Sequence, residues 1–123
     1  MSRSARPALL LAGLMATASA AHFLAPKQFD ATIPRALPGS PRAWTQASGV
    51  VELALAVGLA LPATRRTSAR ATALFLTAVF PANVQMAYDW RDRTTAARSL
   101  AYARLPLQVP LILWARHAAR AER

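Results

Sequence analysis

Four apolar runs, separated by clusters of Arg, Pro and Asp, set the plan of this chain. They cover about residues 7–24, 44–61, 71–88 and 99–115, each near the length a helix needs to cross a bilayer. The pattern predicts an all-α fold: a four-helix transmembrane bundle forming a single domain over residues 1–123.

The second run organises the rest. As a helix, Trp44 to Leu61 would rise about 27 Å, close to the hydrocarbon thickness. It carries one carboxylate, Glu52, well inside. A carboxylate at that depth is costly unless it is neutralised, paired or hydrated, so it marks a functional-site hypothesis. Thr45, Ser48 and Glu52 follow i, i+3, i+7 and share a face. Ala47, Ala54 and Gly58 fall on another sector, where Ala54 and Gly58 have the small-xxx-small spacing that lets a partner helix approach. Pro62 ends this helix.

The first run reads two ways. Arg3 and Arg6, an apolar core and the triplet Ala18-Ser19-Ala20 suit a secretory signal peptide. His22-Phe23-Leu24-Ala25-Pro26 reads as a helix end, and the three runs that follow favour a retained membrane helix. The connector Pro26 to Arg42 repeats Phe29, Ile33 and Leu37 every four residues. It is either an ordinary loop with a few buried anchors or a short interfacial helix. Pro81 inside the third run predicts a kink and a freed carbonyl near Thr77. The fourth run contains Arg104, Gln108, Pro106 and Pro110, and a basic tail follows it.

Composition supports a membrane reading. The chain is 54% hydrophobic and 16% charged, whereas a soluble domain carries about 25% charged residues. The net charge of +10 could suggest nucleic acid, but the basic residues sit in turns between apolar runs, as loops of a membrane protein do. No nucleic-acid partner is expected. Without Cys there is no thiol redox chemistry and no cysteine metal site. His22 and His117 lie far apart in sequence, so no metal or paired haem site is expected.

Counting Lys and Arg orients the bundle. Arg3, Arg6, Arg65, Arg66, Arg70, Arg116, Arg120 and Arg123 fall on one side; Lys27, Arg35, Arg42, Arg91, Arg93 and Arg98 fall on the other. Eight against six votes for both termini in the cytoplasm of a multi-pass membrane protein.

With that topology, depths can be compared. Glu52 lies roughly 12 Å below the outer end of its span, and Arg104 roughly 9 Å below the same surface. Asn83 is also in the outer half, His22 is near the outer end of the first span, and Gln108 lies one turn below Arg104. Four helices thus send His22, Ser48, Glu52, Asn83, Arg104 and Gln108 to a similar level. Gln85 is about 200° around the helix from Asn83 and should not join them. The expected central contact is a Glu52–Arg104 ion pair, with apolar walls from Phe23, Phe80, Met86 and Tyr102. Closed, such a cluster is glue; open, it is a ligand-binding pocket for an amphipathic molecule such as a quinone head group. No catalytic motif is present: there is no Gly-rich phosphate loop and no G-x-S-x-G turn.

Several blocks resemble a known family. They are Ala21-His22-Phe23 with Pro26, Phe29 and Ile33-Pro34; Ser48-Gly49 with Glu52 and Gly58; Pro62 with Arg65-Arg66; Phe80-Pro81-Ala82-Asn83 with Met86; and Arg104 to Gln108 with Trp114-Ala115. In that order they resemble the DoxX-like family of small bacterial integral membrane proteins. The resemblance implies a four-helix membrane bundle associated with membrane oxidoreductase systems, including quinone-linked ones. It implies a site at His22, Glu52, Asn83, Arg104 and Gln108. Two function classes follow: a non-catalytic accessory or quinone-binding subunit whose partner supplies the redox centre, or a structural subunit in which the same residues lock the helices. A small transporter is a third, weaker reading, and a homo-oligomer would suit it.

Overall fold

Prolines and polar caps decide where the helices begin and end. In the computed structural model, which describes residues 5–122, the chain forms five helices. Arg3 and Arg123, counted in the orientation above, lie outside the described residues. Helix α1 spans Arg6–Leu24, α2 Pro26–Asp30, α3 Pro41–Ala60, α4 Arg65–Asp89 and α5 Thr95–Ala121. No strand occurs among the described residues.

Pro7, Pro26 and Pro41 sit in the first turns of α1, α2 and α3, where a missing N–H costs nothing. Ser40 caps α3 by accepting from Ala43 N at 3.1 Å, and Thr94 caps α5 by accepting from Ala97 N at 3.2 Å. Leu61 is extended before Pro62 and ends α3. Within the connector, residues 26–30 form a single short helix and the rest is irregular.

Two helices outrun the expected boundaries. α4 begins at Arg65, not near residue 71, and continues unbroken through Pro81. α5 runs from Thr95 to Ala121, past Pro106 and Pro110 and into the basic tail. The reason is tertiary. Ala101, Gln108, Ala115, Ala118 and Ala119 form one buried face, whereas Pro106 and Pro110 face outward. Each proline removes a ladder bond but leaves the packing that holds the helix.

The four long helices pack in a ring: α1 on α3, α3 on α4, α4 on α5 and α5 on α1. α3 and α5 therefore lie across a diagonal, as do α1 and α4. The main core joins Leu11, Met15, Ala56, Leu59, Leu76 and Ala115, and a smaller one gathers Met86, Ala87, Trp90 and Ala101. On α3 the buried stripe is Thr45, Gly49, Glu52, Ala56 and Leu59. Ala47 and Ala54, expected on a packing face, are exposed.

Glycines mark the closest helix approaches. A Cβ on Gly49 would meet Phe23 at 2.8 Å and His22 Cβ at 3.1 Å, so α1 lies directly on α3 there. Ser19 Oγ donates to Gly49 O at 2.7 Å in the same contact. A Cβ on Gly58 would collide with Ser68, which fixes the α3–α4 crossing near their turn.

The ends are tied by side chains. Arg65 is buried; its Nε donates to Leu59 O at 2.8 Å and its Nη2 to Ala60 O at 2.9 Å. It thereby caps the last carbonyls of α3, the favourable place for a cation. Its Nη1 also lies 3.8 Å from Glu122 of α5. Trp114 Nε1 donates to Pro7 O at 2.9 Å, which brings α5 to the start of α1. This end, with Arg6, Arg65, Arg66, Arg70, Arg116 and Arg120, is the basic end. At the connector end Trp90 Nε1 donates to Ala31 O at 3.2 Å.

α1 and α3 are each long and apolar enough to cross a membrane, and only 28% of either window is buried inside the fold. Large apolar side chains face outward on all four long helices, among them Leu10 (α1), Val50 (α3), Leu74 (α4) and Leu113 (α5).

Candidate functional site

The ring leaves a cavity of about 820 Å³ in its connector half. His22, Ser48, Glu52, Asn83, Arg104 and Gln108 all line it, one or two from each long helix. Its remaining walls are mostly apolar and include Leu11, Met15, Phe29, Ile33, Trp44, Val51, Phe75 and Leu111. The connector forms its lid through Phe29, Thr32, Ile33 and Pro34.

The expected walls are largely replaced. Phe23, Phe80, Met86 and Tyr102 are not among the lining residues. Phe23 covers Gly49 instead, and Met86 is buried in the smaller core. Gln85, set aside on angular grounds, does reach the lining, although its Nε2 donates to Asp89 Oδ1 at 2.9 Å.

The expected Glu52–Arg104 ion pair does not form. Glu52 is 8% exposed, and its Oε2 lies 3.2 Å from His22 Nδ1. The physical reason is the ring order: α1 is a neighbour of α3, whereas α5 is across the diagonal. Arg104 turns instead to α4, where its Nη1 donates to Met86 Sδ at 3.2 Å. Thioether sulfur is a weak acceptor, so most of the guanidinium's donor capacity stays unspent beside the cavity.

The His22 contact leaves the carboxylate unsatisfied. His22 Nδ1 is 2.7 Å from Ala18 O. A carbonyl can only accept, so Nδ1 carries the proton and donates there. Glu52 Oε2 is left buried with no hydrogen-bond partner. The imidazole stacks on Phe29, centroids 3.9 Å apart and planes 21° apart, which fixes the ring against the lid. In the neutral form Nε2 is then an acceptor.

Asn83 and Gln108 behave differently. Asn83 Nδ2 donates to Gln108 Oε1 at 3.3 Å, and Gln108 Nε2 donates to Leu76 O at 2.6 Å. Both side chains are buried and tie α4 to α5. Leu76 precedes Thr77, whose carbonyl is the one that Pro81 leaves without its amide donor.

The lid has its own anchor. Thr45 Oγ1 donates to Asp30 Oδ1 at 2.7 Å and Arg42 Nε to Asp30 Oδ2 at 2.9 Å. The Thr45 hydrogen bond above all, and Arg42 after it, hold the Asp30 carboxyl below the ordinary carboxylate range, against the opposing effect of desolvation. Trp44 Nε1 donates to Pro38 O at 2.7 Å. The Phe29, Ile33, Leu37 repeat, read from the sequence as loop anchors or an interfacial helix, lines the cavity; that it covers the cavity as a lid was not legible in the sequence. Sequence reasoning also missed Met86 as an acceptor and Arg65 as a cap, which no local pattern signals. No group of three or more His, Cys, Asp or Glu is placed to hold a metal among the described residues.

One family model matches the chain, and its description assigns no function. It is described as "Domain of unknown function (DUF8561)" and matches residues 11–119. No curated protein and no solved structure matches the chain.

Proposed function

The chain belongs to the DUF8561 family, and from that premise we propose that it is a multi-pass inner-membrane protein whose outer-half cavity binds a quinone-like molecule. In this reading α1, α3, α4 and α5 are four transmembrane helices with both termini cytoplasmic. α4 and α5, at 25 and 27 residues, would rise about 37 and 40 Å, long enough to span with tilt. Apart from Arg104, which lines the cavity, their arginines lie toward the ends, where long basic side chains reach the interface.

One observation carries the ligand reading: Glu52, with one carboxylate oxygen buried and without a hydrogen-bond partner, lines a cavity with mostly apolar walls. Folding alone gives no reason to retain it, because an unsatisfied buried acceptor destabilises by about 1–3 kcal/mol. A ligand hydroxyl or protonated head group would satisfy it. Arg104 would donate to a ligand carbonyl, and His22 Nε2 would accept. Trp44, Ala47 and Val51 of α3 and Ala78 and Pro81 of α4 line the cavity and are exposed. We place the mouth along that seam, so that the ligand enters from the bilayer. In this reading a partner subunit would supply the redox centre.

The test uses purified protein in nanodiscs and a short-chain benzoquinone, read by quenching of Trp44, with Trp90 and Trp114 replaced by Phe. Saturable quenching that Glu52→Gln and Arg104→Met each weaken supports the reading. If the quinone does not bind, or if neither change alters its affinity, the reading fails. Asn83 and Gln108 fit a structural role better, because their hydrogen bonds close on each other and on Leu76 O. They would fix the cavity wall, not meet the ligand.

A further inference from the structure

A second concavity lies at the other end of the molecule. It is a groove of about 650 Å³ between the first half of α4 and the last half of α5. Arg70, Arg116 and Arg120 line it together with Leu74, Thr77 and Ile112, over a floor of Ala73 and Ala119. No carboxylate lines it. None of the three guanidiniums has an ion-pair partner among the described residues. The nearby Glu122 approaches Arg65 instead.

The order of these residues matters. Ile112, Arg116 and Arg120 are spaced i, i+4, i+8 on α5, and Arg70, Leu74 and Thr77 are i, i+4, i+7 on α4. Charge therefore gathers at the basic end of the groove, and its walls become apolar toward the middle of the bundle. That polarity matches a molecule with an anionic head and an acyl chain lying along the helices. Arginine forks bind phosphate oxygens in pairs. Basic clefts between membrane helices on the cytoplasmic side are suited to anionic phospholipid.

We propose that this groove is a binding site for an anionic phospholipid of the cytoplasmic leaflet. Arg70, Arg116 and Arg120 hold its phosphate, while Leu74 and Ile112 hold the first part of a chain. The proposal rests on the membrane-spanning reading above but not on the quinone site.

Native mass spectrometry of the full chain, released from detergent with phosphatidylglycerol or phosphatidylcholine, tests it. The wild type should retain one phosphatidylglycerol in preference to phosphatidylcholine. The combined variant Arg70→Gln, Arg116→Gln, Arg120→Gln should bind it about a hundredfold more weakly. A control variant, Arg35→Gln, Arg91→Gln, Arg93→Gln, removes the same charge from the connector end and should retain the lipid. Helicity by circular dichroism confirms that each variant is folded; should the triple variant fail to fold, the single changes must each weaken retention several-fold. Equal retention by wild type and folded variants, or equal loss in the control, overturns the proposal. Displacement of the lipid by millimolar inorganic phosphate as readily as by phosphatidylglycerol vesicles would make this a soluble-anion site and also overturn it. Carbonate extraction of cell membranes separates the two readings. A protein that extracts overturns the membrane reading. One that stays membrane-bound but shows no lipid preference overturns this proposal alone.

Discussion

Replacing Glu52 by Met distinguishes a binding site from a structural ion pair. Met is nearly isosteric and can satisfy an apolar wall. If Glu52 were half of a structural ion pair, removing it would destabilise the fold by about 3–5 kcal/mol, because the other charge would be left buried. The geometry argues otherwise. His22 keeps its bond to Ala18 O whatever stands at position 52. Arg104 keeps its contact with Met86. The change therefore orphans no donor, and it removes one orphaned acceptor, Glu52 Oε2. Relief of that desolvation should stabilise the protein by about 1–3 kcal/mol. The assay is reversible unfolding in mixed micelles by titration with dodecyl sulfate, followed by tryptophan fluorescence. The same variant should lose quinone binding, so stability and binding move in opposite directions. A loss of about 3 kcal/mol or more would refute the reasoning and restore the structural reading.

Three other outcomes follow from the same contacts. Gly58→Ala should destabilise by about 1–3 kcal/mol, because its Cβ collides with Ser68; the variant Gly58→Ala/Ser68→Gly should recover most of this, and a single change that stabilised the helix, as Ala normally does, would refute the close crossing. Asn83→Leu and Gln108→Leu should each cost about 1–3 kcal/mol by stranding the other's polar atoms, with the double variant costing less than the sum in a double-mutant cycle. The lid should loosen in acid. Asp30 has a lowered folded pKa, so its contribution is complete above the ordinary carboxylate value and is lost as pH falls through the lower folded value. Protection factors at connector amides, with the intrinsic pH dependence of exchange divided out, should fall over that acidic interval in wild type and stay unchanged in Asp30→Asn.

Much of the architecture is legible in residue order. The four apolar runs correspond to the four long helices, since their length and Pro punctuation are local properties. The shared depth of His22, Ser48, Glu52, Asn83, Arg104 and Gln108 is also local arithmetic, at a fixed rise per residue, and the structure brings all six to one cavity. Azimuth is another matter. Which partner Glu52 meets depends on the order of helices around the ring, and one sequence does not encode that order in any short window. Thus His22, not Arg104, stands beside it. The helix ends were misjudged for a related reason. Arg65 and Arg116 look like turn residues by charge, yet Arg65 finds carbonyls to cap, and the Arg116 turn is held by Ala115, Ala118 and Ala119 in the core.

The Arg65 clamp makes the molecule a pair of tweezers. It grips the exit of α3 and the entrance of α4 and leans on Glu122, and Gly58 presses on Ser68 just beyond. A guest wedged between α3 and α4 cannot part them at that hilt; the strain must emerge at the tips, where Trp44 and the proline-rich strap are. Were the cavity to take the ligand proposed above, its occupancy would thus be written onto the connector face.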